Sequence, residues 1–146
     1  MPVIDINWIA VIVATIVNML IGAAWYSPIL FLKPWTAGVE KTIGKERFQL
    51  LRQGMRSKST AIRTYGLMAI CAFLVTYVMG LIVDYRAADT IAEGVLVGVV
   101  TWVGFVITTS LNTVLFEGRS PIVYLINNAN HLVGFVVTGV MLALWQ

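Results

Sequence analysis

The residues of this chain with the most chemistry to offer stand together as Asn127-Asn128-Ala129-Asn130-His131, inside a stretch that is otherwise apolar. His131 is the only histidine, and imidazole is the side chain that ordinarily titrates near neutral pH. The carboxamides beside it supply paired donors and acceptors. Polar groups are costly in hydrocarbon, so they belong against other helices or around a cavity. Two readings stay open. In one, amides and hydroxyls bond across a packed helix interface, each contact contributing about 0.6 kcal/mol on average. In the other, they line a cytoplasm-facing polar pocket that binds or carries a small molecule.

Helical spacing extends this cluster. Asn127, His131, Gly134 and Thr138 recur at intervals of four and three, along one face of a helix. Gly94, Gly98, Thr101, Phe105, Thr108 and Asn112 repeat the pattern upstream, as do Asn18, Gly22 and Trp25 near the start. With the last two segments antiparallel, Thr108 and Asn112 fall at the depth of Asn127 and His131, at 1.5 Å per residue. The expected ligand-binding set is therefore Asn18, Trp25, Tyr26, Thr108, Asn112, Asn127, Asn130 and His131. Gly22, Gly94, Gly98 and Gly134 are the expected sites of close helix packing, within the molecule or between subunits.

Other chemistries lack their residues. The first apolar stretch carries no carboxylate to couple proton and substrate movement. A lone histidine cannot assemble a metal site, and the single Cys71 allows neither an intramolecular disulfide nor a redox pair. Cys71 reads as a small buried hydrophobe. A Ser/His/acid arrangement would need His131 to meet Ser110 and Glu117. The expectation is a protein that is not an enzyme and uses no metal or cofactor.

The elements that must hold these groups follow from composition. The chain has 146 residues, 59% hydrophobic and 12% charged, against about a quarter charged in an ordinary soluble domain. So short a chain cannot hide that much apolar surface in its own core, so lipid must cover the rest. Four stretches, about 6–32, 62–83, 91–116 and 121–145, are long enough to cross a bilayer as helices. They form a single transmembrane domain over residues 1–146, an all-α, four-helix bundle. A barrel would show short alternating segments instead. The first stretch exceeds the apolar core of a secretory signal and reads as a retained span.

Charge orients the bundle. Lys33, Lys41, Lys45, Arg47, Arg52, Arg56, Lys58 and Arg63, eight of the ten basic residues, lie in or beside the loop 33–61, which should be cytoplasmic. Asp5, Asp84, Asp89 and Glu93 mark the other side, so both termini are expected to be external. Trp8, Tyr85 and Trp145 fall at the outer interface and Trp35 and Tyr65 at the inner, whereas Trp102 falls mid-span. Within the loop, Ile43, Phe48, Leu50, Leu51 and Met55 interleave with Lys45, Arg47, Arg52 and Arg56. That pattern fits either a short amphipathic helix on anionic lipid headgroups or a solvated loop. No stacking platform accompanies these bases, which argues against nucleic acid.

Asn7-Trp8, then Gly22-x-x-Trp25-Tyr26-Ser27-Pro28-x-x-Phe31-x-x-x-Trp35, resembles a bacterial membrane family known only as domain of unknown function number 1761. Phe116-Glu117-Gly118-Arg119 and Asn130-His131-Leu132-Val133 are similar to it as well. The resemblance covers nearly the whole chain and implies a multi-pass, four-helix protein of the bacterial inner membrane, with no activity attached. Pro28 lacks an N–H and disfavours helix at Ser27, so the first span should kink or end there. Trp25 and Tyr26 would then anchor the interface or line the mouth of the His131 pocket. The leading expectation is a homo-oligomeric protein binding or carrying a small molecule; the alternative is an accessory subunit of a larger complex, with the Gly94/Gly98 face as its contact surface.

Overall fold

The computed structural model describes residues 6–145, and its elements are helices throughout that range, with no strand among the described residues. We label them α1 (Trp8–Trp25), α2 (Leu32–Ile43), α3 (Lys45–Gly54), α4 (Lys58–Tyr85), α5 (Ile91–Leu115) and α6 (Pro121–Leu144). Of these, α1, α4, α5 and α6 are long and apolar enough to cross a membrane. Asp5 lies outside the described residues.

Local chemistry sets the boundaries. Asn7 caps α1 by accepting the Ala10 amide at 3.1 Å, satisfying a donor that the first turn would otherwise leave open. The helix stops at Trp25 and a turn carries Ser27-Pro28, so α1 is shorter than residues 6–32, whose last residue, Leu32, opens α2. Its 18 residues rise about 27 Å at 1.5 Å each, close to the thickness of a bilayer's hydrocarbon. A reciprocal cap between Thr90 and Glu93 starts α5. Pro121 opens α6 in the first turn, where its missing N–H costs nothing.

The core is assembled around α6, which touches α1, α2, α4 and α5. Ala10, Val11 and Ala14 of α1 meet Met79 and Val83 of α4 and Phe135, Leu142 and Ala143 of α6 in one buried cluster. Small residues permit the tightest approach. A methyl group built on Gly98 would stand 2.6 Å from the Phe135 carbonyl oxygen, and one on Gly94 would stand 2.7 Å from that of Gly139. The Gly94/Gly98 face therefore packs inside the molecule and is not free to receive another subunit. Gly134 is tight too, against the Asn18 carboxamide. Gly22 is different, with nothing within 4 Å of a methyl built there. It lies between Asn18 and Trp25 on α1, and those two longer side chains, not backbone contact, set the spacing to α6.

Surfaces turned away from the core are apolar. Ile9, Ile12, Ile16 and Leu20 form an exposed stripe along α1, and Leu67, Ile70, Leu74 and Val78 one along α4. Such stripes would be unfavourable in water and are suited to lipid. Cys71 is exposed among them on α4, not buried as its type predicts.

The loop between α1 and α4 is helical and partly docked. Gly38 of α2 fits against Ser120 and Val123 of α6, and the Ser120 amide donates to Thr42 Oγ1 at 3.2 Å. Gly44, at φ +85°, turns the chain into α3 through backbone space that side chains rarely adopt. On α3, Phe48 is buried with Arg52 over its ring, while Leu50 and Leu51 are exposed. The loop thus lies at the same end of the molecule as the α5–α6 turn. At the opposite end, Ile6, Asn7, Asp84, Leu142 and Trp145 border one shallow hollow, so both described chain ends meet the last turn of α4 there.

Candidate functional site

At the loop end, side chains from three helices converge on one stretch of α6. The indole of Trp25 donates to the Ile126 carbonyl at 3.1 Å. The indole of Trp35 donates to Asn127 Oδ1 at 3.0 Å, and the Tyr26 hydroxyl donates to the same oxygen at 2.9 Å. From the other side, the Trp102 indole donates to the Asn128 carbonyl at 2.9 Å. An indole N–H can only donate, so the Asn127 atom that meets Trp35 must be its oxygen, and the carboxamide orientation is fixed. Ring contacts stiffen the arrangement: Tyr26 meets Trp35 edge to face at 5.5 Å, and Trp25 packs on Phe31 at 4.7 Å.

The turn at Pro28 makes this possible. Ending α1 at Trp25 and restarting at Leu32 folds the chain so that Trp25, Tyr26 and Trp35 all face α6. Trp35 is therefore a structural strut of the site. Trp102, displaced from either interface, has its partner in the α6 backbone.

The second feature is a break in helical phase. Residues Val103–Ile107 of α5 form a π turn, which takes in one extra residue and rotates everything after it. Gly94 and Gly98 face α6 before the turn; Val106, Ser110 and Thr113 face it afterwards. Thr108 and Asn112, which an unbroken helix would have carried onto that face, are exposed instead, and neither lines the site. The loosened carbonyls are satisfied, as a membrane interior requires. Thr108 Oγ1 donates to Val103 and Gly104, Thr109 Oγ1 to Phe105, and the Tyr124 hydroxyl to Ile107 at 2.9 Å.

Between the rotated half of α5 and the start of α6 lies a cavity of about 120 Å³, several times what a single water needs. Its lining is Val106, Ser110, Thr113, Arg119, Val123, Tyr124, Asn127, Asn128 and His131. Asn128 is 4% exposed and bonded at both ends, accepting from Ser110 Oγ at 3.1 Å and donating one N–H to the Tyr124 carbonyl at 2.9 Å. His131 and Arg119 are exposed and stand at the edges. Gly118, at φ +67°, shapes the turn that presents Arg119. No group of metal-ligating side chains occurs among the described residues.

Of the residues expected from spacing, the structure brings Asn127 and His131 to the cavity. Trp25 and Tyr26 lie behind them and hold α6. Asn18 rests on Gly134, deeper in the helix pair. Asn130 lies outside the lining and its buried amide nitrogen has no partner among the described residues. Ser110, Thr113, Arg119, Tyr124 and Asn128 escaped the periodic search. Asn128 was adjacent to the expected stripe, but nothing in the sequence marks the π turn that brings Ser110 and Thr113 round.

Compared with known families, residues 9–143 match one described as a protein of unknown function (DUF1761). The chain belongs to this family. The match runs from the second residue of α1 to the penultimate residue of α6 and includes every residue of the site. Comparison with curated proteins and comparison with solved structures each found no match.

Proposed function

We propose that this DUF1761 protein is a non-enzymatic protein of the bacterial inner membrane that binds or carries a small molecule through the cavity between α5 and α6. The carrying observation is the cavity itself, a space of about 120 Å³ into which Ser110, Thr113, Asn127 and His131 bring polar groups between apolar walls, on helices where polar side chains are costly unless they face a partner or a cavity. Its setting supports a binding role, since rigid indoles from separate elements fix the α6 wall from behind. Eight basic residues sit at the same end; under the positive-inside rule that end is cytoplasmic and both termini are external. Lys45, Arg47, Arg52 and Arg56 on and beside α3 then face anionic headgroups, at about 1 kcal/mol per base.

The test is saturable stabilisation. A ligand that binds the folded state raises the melting temperature with its concentration. Screening small polar metabolites against the protein in nanodiscs should yield such a response, and Ser110→Leu, which fills the cavity, should abolish it. If His131→Leu and Asn127→Leu left binding and transport unchanged while raising stability, helix packing would be the better account of the cluster.

Self-association is favoured by a separate observation. Asn112 is exposed on a membrane-spanning helix, where an uncovered carboxamide would face lipid. A second copy covering that face makes a homo-oligomer. Gentle extraction followed by mass measurement should show a multiple of the 16.1 kDa chain; a stable complex with a different protein would favour an accessory-subunit role instead.

A further inference from the structure

We propose that the α5–α6 cavity takes a compact oxyanion that also carries a hydroxyl group. This rests on the cavity being a binding site and names the chemistry it recognises. The hydrogen-bonding capacity left in the lining once the protein's own bonds are made selects this chemistry.

Each hydroxyl in the lining has one proton to donate, and each has committed it. Ser110 Oγ directs its proton between Asn128 Oδ1 at 3.1 Å and the Ile107 carbonyl at 3.3 Å. Thr113 Oγ1 donates to the Ser110 carbonyl at 2.7 Å, and Tyr124 to that of Ile107 at 2.9 Å. Towards a guest, these three oxygens offer lone pairs only. Asn128 accepts from Ser110 and commits one N–H to the Tyr124 carbonyl, which leaves its second N–H.

The uncommitted donors are of another kind. Asn127 has its oxygen filled by Tyr26 and Trp35, which leaves the amide nitrogen to serve the cavity. Arg119 uses its Nε on Glu117 at 3.1 Å, so its terminal guanidinium nitrogens remain. His131 carries at least one N–H in either protonation state. The lining therefore combines free N–H donors, among them the open edge of a guanidinium whose charge Glu117 partly offsets, with a set of acceptor oxygens. A cation would find no carboxylate in the lining and would meet the free edge of the Arg119 guanidinium, and a purely apolar guest would leave the donors unpaired. An oxyanion satisfies the donors through charge-assisted bonds, and a neighbouring hydroxyl on the same guest satisfies the acceptors. That chemistry is found in a free hydroxy acid and equally in a glycerol-phosphate lipid headgroup.

The experiment uses lactate as probe, against propionate, which lacks the hydroxyl, and lactamide, which lacks the charge. The full chain in nanodiscs of zwitterionic lipid is titrated with each at constant ionic strength, and the melting temperature is followed. Lactate should stabilise saturably, propionate more weakly, and lactamide not at all. Arg119→Gln should weaken lactate binding about tenfold or more, with Arg119→Lys intermediate. Glu117→Gln, which frees the guanidinium, should tighten it. The Arg119–Glu117 pair is half exposed and adds little stability, so these variants should fold.

Repeating the titration in phosphatidylglycerol nanodiscs separates the sources. A lactate response that persists there identifies a free anion. A response lost there, with phosphatidylglycerol co-purifying with the wild type and not with Arg119→Gln, identifies a headgroup. Lactamide matching lactate, or Arg119→Gln behaving as wild type, would overturn the oxyanion while leaving the cavity a binding site. No saturable response to any probe or lipid would overturn both.

Discussion

The two ends of the Asn127 carboxamide stand in different surroundings, and substitution there separates their effects. Its oxygen ties α6 to Tyr26 and Trp35, and its nitrogen is the donor that the proposed site would use. Replacing it by leucine strands a hydroxyl and an indole N–H together, at about 1–3 kcal/mol for each buried group left unsatisfied. Trp102→Phe removes a single bond to the Asn128 carbonyl and keeps most of the ring, so its cost should approach the membrane average of about 0.6 kcal/mol. Reversible unfolding in mixed micelles should therefore rank Asn127→Leu well above Trp102→Phe; equal effects would show that the carboxamide oxygen is not a junction. The amide motif was legible in the sequence because polar residues stand out in an apolar run. Their division of labour was not, since it depends on Trp35 arriving from a separate helix.

At the scale of elements, the π turn and the glycine contacts decide which faces meet. Ser110 contacts Asn128 across the helix pair, whereas Asn112 is exposed. In a Cys71→Ser background, cysteines at 110 and 128 should be joined by a short bifunctional thiol reagent, and cysteines at 112 and 128 should not. The reverse pattern would restore the straight helix and the stripe through Thr108 and Asn112. Glycine substitutions divide in the same way. Gly98→Val would drive a side chain into the Phe135 backbone and should cost about 1–3 kcal/mol or more by overpacking. Gly22→Ala meets nothing within the chain and should be neutral or slightly stabilising in the same unfolding assay, because alanine is the better helix former. The sequence shows the small residues at both places alike; only the partner backbone distinguishes them.

For the molecule as a whole, the distribution of bases and the exposed Asn112 carry the predictions. Cysteine labelling in cells, with a reagent that does not cross membranes, should leave position 50 of α3 protected and label position 87 of the α4–α5 connection. The opposite result would invert the molecule. Asn112→Leu should shift the extracted protein toward monomer if that face meets a second copy, and an unchanged mass would place the contact elsewhere. Association through Gly94 and Gly98 is already disfavoured, since those glycines are consumed by α6.

Composition alone dictated the helices and their solvent, because 59% hydrophobic residues with charges gathered into connections can satisfy their backbones in lipid only as long helices. The same string located the break after Trp25 through Pro28, and the polar segment of α6 through Asn127 and His131. What it could not convey was rotation. Side-chain direction along a helix is cumulative, so one extra residue in the turn Val103–Ile107 exchanges Thr108 and Asn112 for Ser110 and Thr113 without any change in composition or hydropathy. That exchange, together with the docking of α2 that brings Trp35 to Asn127, arises from contacts between segments distant in the chain, and only the folded arrangement holds them.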